Sequence, residues 1–168
     1  SWYWDTSATD WGFQWAADED KYLHRPYVPT YRYARDIIGC FNHWVEGWID
    51  WNMVLDQNGG PNHVANWCVA PVLVDTAHQE VYFTPLYYVM GQFSRYVEPG
   101  AKRIDFKLSE ESKLQATAVK NPSGDISVFV LNEGSEESLR IELGDEVFDY
   151  IIPSRSIQTI HLTREIEE

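Results

Sequence analysis

With 168 residues, the chain is long enough for one ordinary domain, or for one small domain and part of another. Hydrophobic residues make up 44% of it and charged residues 23%, and no apolar run approaches the roughly 20 residues that span a bilayer. These values argue against a disordered chain and against a transmembrane segment. The formal net charge of -13 also argues against a nucleic-acid partner, because phosphates would be repelled.

The cysteines and histidines show no metal-binding pattern. Cys40 and Cys68 are the only cysteines, and each stands alone beside an aromatic residue, which is more typical of a buried thiol than of a disulfide. The five histidines are scattered, with neither HxH nor HxxxH spacing. We therefore expect no metal site and no cofactor.

Aromatic residues are unusually frequent before residue 100. They make up 15% of the chain, with eight tryptophans and ten tyrosines. Tryptophan and tyrosine have flat apolar faces and a polar edge, which suits the stacking of sugar rings. A large aromatic core is the alternative, and composition alone does not choose between the two.

The chain up to Pro99–Gly100 alternates helical and strand-like segments. Residues 1–29 have no steady period and are predicted to form a long loop. From Tyr31, apolar residues recur at three- and four-residue intervals, which predicts a helix with Thr30 as its N-cap. The elements predicted next are a buried strand at Trp44–Asn52, a turn at Gly59–Asn62, strands at Val72–Asp75 and Val81–Phe83, and an amphipathic helix that starts at Pro85.

Beyond Ala101, short strands alternate with turn residues. Regular strands at this spacing are typical of an antiparallel β-sandwich. The composition changes at Pro99–Gly100, so the predicted domains are residues 1–100 and 101–164. The six predicted strands are residues 103–108, 114–120, 126–132, 138–143, 147–152 and 157–162.

The order of helix, apolar strand, polar loop and helix is that of the last βα unit of a (β/α)8 barrel. The predicted fold class is therefore an α+β fragment, a terminal barrel unit followed by a β-sandwich. Binding groups of such barrels lie at the C-terminal ends of strands, which would place Asp50, Trp51 and Asn52 at the mouth of a site. Local capping of the loop is the alternative for Asp50 and Asn52.

Several separated motifs follow one another along this part of the chain: Gly47–Asn52, Gly59–Asn62 and Asn66. They look like the GW-x-DWN and GGPN signatures of glycoside hydrolase family 30, the glucosylceramidase-like enzymes. Residues 33–38, 71–75 and 82–97 are similar to the neighbouring barrel segments, and residues 99–104 and 153–159 to the family's β-sandwich. The resemblance covers residues 33–162 with the motifs in the family's order.

The resemblance implies a retaining hydrolase with a nucleophilic Glu and an acid/base Glu about 5 Å apart. Neither position can be found in this chain, so no catalytic residue is assigned and the isolated chain is expected to be inactive. No carboxylate of residues 1–29 has the family's Ser-Glu or Thr-Glu context. The acids of this stretch are Asp5, Asp10, Asp18, Glu19 and Asp20.

The resemblance also implies three substrate-binding residues. Trp51 would stack on or edge the sugar ring, and Asn66 would hydrogen-bond its hydroxyls. Asp50 would bind sugar hydroxyls or orient its neighbours, while Asn52 and Asn62 would brace the loop. The four early tryptophans would either line the aglycone side or pack in the core: Trp2, Trp4, Trp11 and Trp15.

The expected substrate of the intact protein is a β-glucoside or glycolipid, and the resemblance implies a soluble protein of the secreted or lysosomal type. A lone βα unit leaves the residues at 44–51 and the 86–93 helical stripe without cover. We therefore expect either that copies associate through exposed apolar surface or that these residues dock on the β-sandwich. The runner-up function is a non-catalytic carbohydrate-binding β-sandwich module with an aromatic arm. A third hypothesis is a self-sufficient enzyme that uses Asp10 or Glu19 with Asp50.

Overall fold

The computed structural model describes residues 27–56, 58–61, 68 and 70–163. The chain divides into two compact units, Ser1–Tyr33 with Gly47–Gly91 and Ala34–Glu46 with Gln92–Glu168. No helix among the described residues has the length and hydrophobicity to cross a bilayer. In chain order the elements are α1 (Tyr27–Asn42), β1 (Val54–Asp56), β2 (Val72–Asp75), β3 (Glu80–Phe83), α2 (Pro85–Tyr96), β4 (Lys102–Arg103), β5 (Gln115–Lys120), β6 (Ile126–Asn132), β7 (Glu137–Leu143), β8 (Glu146–Ile152) and β9 (Ser156–Leu162).

Helix α1 begins earlier than its periodicity predicts. Thr30, expected as the N-cap, lies inside the helix, which starts at Tyr27. Pro29 is therefore a first-turn residue rather than a helix breaker, because a backbone N–H in the first turn has no intrahelical partner to lose. Helix α2 begins at Pro85 for the same reason, as predicted.

The first unit contains a small mixed sheet. Strand β1 runs parallel to β2, and β2 is antiparallel to β3. Leu55, Cys68 and Ala70 form a buried cluster. Thr84 is also buried, and its hydroxyl lies 2.9 Å from the Ala70 carbonyl oxygen, which ties the start of α2 to the segment before β2.

The buried strand predicted at Trp44–Asn52 is wrong. The segment forms no strand, and Ile49 is 93% exposed. A mostly apolar run indicates that a segment needs neighbours on both faces, but among the described residues no strand pairs with it. Ladder bonding starts only at Met53, whose carbonyl accepts the Val72 N–H at 3.0 Å.

Of the two apolar surfaces predicted to be exposed, residues 44–51 and the 86–93 stripe of α2, the structure exposes the first and buries the second. Large hydrophobic side chains between Trp44 and Trp51 are exposed, as expected. The α2 stripe is instead buried, and the expectation of its exposure was wrong: Leu86, Val89 and Phe93 are all 5% exposed or less. Helix α2 therefore finds its packing partners within the chain.

The turn between β2 and β3 holds a His–Asp pair. The Asp75 Oδ2 atom lies 2.8 Å from His78 Nδ1, and the Asp75 Oδ1 atom accepts the backbone N–H groups of Ala77 and His78. The side-chain hydrogen bond with His78 lowers the pKa of Asp75, and the same bond raises the pKa of His78. Both shifts favour the charged pair.

Asp75→Asn should lower the pKa of His78 towards the ordinary histidine value of about 6.5. The Asp75 contribution to stability is present above its unfolded pKa and lost as pH falls through the lower folded value. The His78 contribution is present below its unfolded pKa and lost as pH rises through the higher folded value. NMR titration of the imidazole tests this, with Asp105→Asn as the control, and an unchanged His78 pKa in Asp75→Asn would contradict it.

The second unit is built from two antiparallel sheets. One has the order β4-β5-β6-β9 and the other is the β7-β8 hairpin. Side chains from both sheets meet in one apolar cluster, so the sheets pack face to face. The buried members are Leu114, Ala116, Val130 and Ile152, with Val128, Leu139 and Ile160 packed against them.

The other face of the larger sheet packs against helix residues of the same unit. Phe93 of α2 stacks on Phe129 of β6, with ring centroids 4.7 Å apart, and Phe41 of α1 meets Phe93 edge-on at 6.1 Å. The Thr159 hydroxyl of β9 donates to the Gln92 side chain at 2.5 Å. The unit therefore has three layers, helix, sheet and sheet.

Candidate functional site

The segment Trp48–Met53 presents alternate residues to solvent. Ile49, Trp51 and Met53 are 93%, 77% and 71% exposed. The residues between them, Asp50 and Asn52, are half-buried. The Trp51 side chain is therefore open to solvent, whereas Asp50 is partly covered by the rest of the unit.

Asp50 faces a buried tyrosine on α1. The Tyr33 hydroxyl donates a hydrogen bond to the Asp50 Oδ2 atom. Tyr33 is only 1% exposed, and its ring meets Trp48 edge-on with centroids 5.2 Å apart. One tyrosine side chain therefore contacts two half-buried residues of this segment, Trp48 and Asp50.

Cys68 is a second buried residue that is influenced by Asp50. Burial raises the pKa of the Cys68 thiol, and the negative charge of Asp50 raises it further. Cys68 belongs to the buried cluster that includes Leu55 of β1. The Asp50 charge therefore acts on a residue in the interior of the unit.

The loop after β1 is shaped by Asp56 and a glycine. The Asp56 Oδ1 atom accepts the backbone N–H groups of Asn58 and Gly60, at 2.8 and 2.9 Å. Gly59 has a φ of +83°, and a Cβ there would lie 2.6 Å from the Cys68 carbonyl oxygen. Only glycine fits this close approach, which gives the Gly59–Gly60 motif a physical reason. The Gly60–Pro61 peptide bond is cis.

The structure places the predicted site residues unequally. Trp51 lies exposed, Asp50 lies half-buried against Tyr33, and Asn66 falls outside the described residues. Tyr33 and Cys68 are neighbours of Asp50 that the sequence did not identify. The other predicted residues that lie outside the described ranges are Asn62, Trp2, Trp4, Trp11, Trp15, Asp10 and Glu19.

The described part of the arrangement offers an aromatic face for binding. An exposed indole can stack on an apolar ring face and donate from its edge. The carboxylates of Asp50 and Asp56 are each engaged by hydrogen bonds within the unit. In the described ranges, no group of three or more His, Cys, Asp or Glu side chains is placed to hold a metal ion.

Family models match both parts of the chain. Residues 17–97 match the glycosyl hydrolase family 30 TIM-barrel domain. Residues 100–160 match the glycosyl hydrolase family 30 beta sandwich domain. The order of the two matches is that of the two parts predicted from the sequence, a terminal barrel unit followed by a β-sandwich.

Individual relatives agree with the family models. The chain is 36% identical over 130 residues to lysosomal acid glucosylceramidase of Mus musculus, a match that covers 76% of this chain and 25% of the mouse protein. The crystal structure of SrfJ from Salmonella typhimurium superposes with a TM-score of 0.79 at 31% identity, over 84% of this chain and 32% of SrfJ.

A more distant solved structure shares the fold. The endo-β1,6-glucanase BT3312 has a TM-score of 0.69 at 24% identity, over 76% of this chain and 29% of that protein. The chain spans about a quarter of the length of the curated relatives that it matches. The chain belongs to glycosyl hydrolase family 30, and it comprises part of the TIM-barrel domain followed by the β-sandwich domain.

Proposed function

We propose that this chain is the C-terminal portion of a retaining β-glycosidase of the glucosylceramidase type, which hydrolyses β-glucosides, including glycolipids. The observation that carries the proposal is the exposed indole of Trp51, which stands within the family's barrel match at the end of the GW-x-DWN motif. The glucosylceramidase name of the mouse relative supports the choice of substrate. The intact protein is this chain joined to the upstream barrel strands that such an enzyme requires.

Trp51 forms one wall of the sugar subsite in this proposal. Its flat face stacks on the glucose ring, where axial C–H groups face the indole, and its edge N–H remains available to a hydroxyl. Asn66 supplies amide groups to the sugar hydroxyls. Asp50 contributes by fixing the wall, because its carboxylate already accepts a hydrogen bond from the Tyr33 hydroxyl.

The chemistry belongs to groups that this chain does not supply. In a retaining mechanism one carboxylate attacks the anomeric carbon while a carboxylic acid protonates the departing oxygen, and water then releases the sugar from the covalent intermediate. We assign neither carboxylate to this chain, so it binds and positions sugar but does not break the bond. The barrel-derived part extends to residue 100, and the β-sandwich occupies residues 101–164.

The test compares the isolated chain with the intact protein on a fluorogenic β-glucoside. The intact protein should hydrolyse it and release β-glucose first, as followed by NMR of the anomeric proton, and the isolated chain should show no turnover. Turnover by the isolated chain would contradict the proposal. An inactive intact protein that still binds glucosides would favour the alternative of a carbohydrate-binding module.

A further inference from the structure

Among the described residues, the segment that carries Trp51 is held by side-chain contacts rather than by a strand ladder. Residues 47–52 belong to no strand there, and the first ladder contact of the described chain in this region is made by the Met53 carbonyl. Two side chains of the segment, Trp48 and Asp50, both contact Tyr33.

The hydrogen bond of the Tyr33 hydroxyl to Asp50 is shielded from solvent. Tyr33 is 1% exposed, so bulk water does not compete for its hydroxyl, and a buried hydroxyl left without an acceptor is costly. A hydrogen bond to a charged acceptor is also stronger than one between neutral groups. Tyr33 and Asp50 belong to the same unit of the chain, so the hydrogen bond holds Asp50 within that unit.

We infer that Tyr33 is a positioning residue for the saccharide site, acting through Asp50 to hold the Trp51 indole in its sugar-facing direction. Residues 50 and 51 are adjacent, so a hydrogen bond that holds the Asp50 carboxylate also restrains the backbone from which Trp51 projects. Tyr33 itself does not contact substrate. The structural part of this inference is that Tyr33 holds the Trp51 indole in place. The functional part is that this position matters for sugar binding, and it rests on the proposed role of Trp51.

The structural part is tested in the isolated chain by NMR of the Trp51 indole N–H signal, assigned with Trp51→Phe. Tyr33→Phe removes one hydroxyl and should shift or broaden this signal. Tyr82→Phe is the matched control, because the Tyr82 hydroxyl also donates to a carboxylate, that of Glu80, but on an exposed strand. Asp50→Ala should perturb the Trp51 signal as Tyr33→Phe does, and the double variant should add nothing further.

The functional part is tested by steady-state kinetics of the intact protein. Tyr33→Phe should raise KM for a β-glucoside about tenfold with kcat within about twofold, because stacking is lost equally from substrate and transition state. A merely structural role would instead lower the active fraction, and so the apparent kcat, at constant KM. Tyr82→Phe should change neither constant.

The outcomes separate this inference from the proposed function. An unmoved Trp51 signal in Tyr33→Phe overturns the inference, as does a lower kcat at unchanged KM. If the wild-type intact protein shows no hydrolysis, the proposed function fails and the Trp51 signal alone decides the structural part. A shifted Trp51 signal together with raised KM upholds both.

Discussion

Trp51→Ala is expected to raise the KM of the intact protein for a β-glucoside roughly 30-fold, which corresponds to about 2 kcal/mol of lost binding. The reason is that Trp51, 77% exposed in this chain, supplies a large rigid surface against which the sugar ring loses contact with water. Alanine leaves that surface open. A stacking wall binds the substrate and the transition state alike, so kcat should change little.

The matched control for this substitution is Trp44→Ala. Trp44 is 70% exposed, but it lies beyond the end of α1, where the Arg103 guanidinium sits over its ring 4.1 Å from the centroid. Its loss should leave KM within about twofold, in line with a surface change of small energy. Equal effects of the two substitutions, or an unchanged KM in Trp51→Ala, would contradict the assignment of Trp51 to the sugar wall.

Phe129→Ala should lower the free energy of unfolding of the second unit by about 3–5 kcal/mol. Phe129 is 0% exposed and stacks on Phe93, so truncation removes a full aromatic side chain and leaves a cavity between the helix layer and the sheet. Urea denaturation of the isolated chain, followed by circular dichroism, measures the change.

The control for the core substitution is Phe83→Ala, which removes the same side chain from a position that is 53% exposed. Its cost should stay below about 1 kcal/mol, because much of the surface is already in water. If Phe129→Ala is too unstable to fold, Phe129→Leu provides a milder version of the same change. Equal losses for Phe129→Ala and Phe83→Ala would show that the Phe93–Phe129 stack is not a core contact.

The β-sandwich could be predicted well from local pattern. Strand β6 has the predicted bounds, and the strands from β7 to β9 begin within one residue of the prediction. Alternating apolar and polar residues, bounded by turn residues, predict these strands correctly because each strand has a neighbour with which it pairs. The strand predicted at 103–108 forms only at Lys102–Arg103. The Arg103 Nη2 atom donates a hydrogen bond to Asp105 Oδ1 at 2.5 Å.

The exposed position of Trp51 agrees with a role at a site rim, but the contacts of Asp50 could not be predicted. Tyr33 and Asp50 are 17 residues apart and belong to different predicted elements. No periodicity within either element indicates that their side chains meet. The same limit explains why the strand predicted at Trp44–Asn52 was wrong. The apolar composition of a segment indicates that it favours burial between neighbouring strands, but it does not show whether such strands are present. The site roles, the domain boundary and the association of copies stay predictions.

Whether Trp51 lines the sugar subsite is decided by a titration of the intact protein with a glucose-configured iminosugar inhibitor. The Trp51 indole N–H signal is followed by NMR, assigned with Trp51→Phe. We expect this signal to shift saturably, with a dissociation constant equal to the inhibition constant measured kinetically. A Trp51 signal that stays in place while the inhibitor saturates the enzyme would remove Trp51 from the subsite and, with it, the proposed sugar wall.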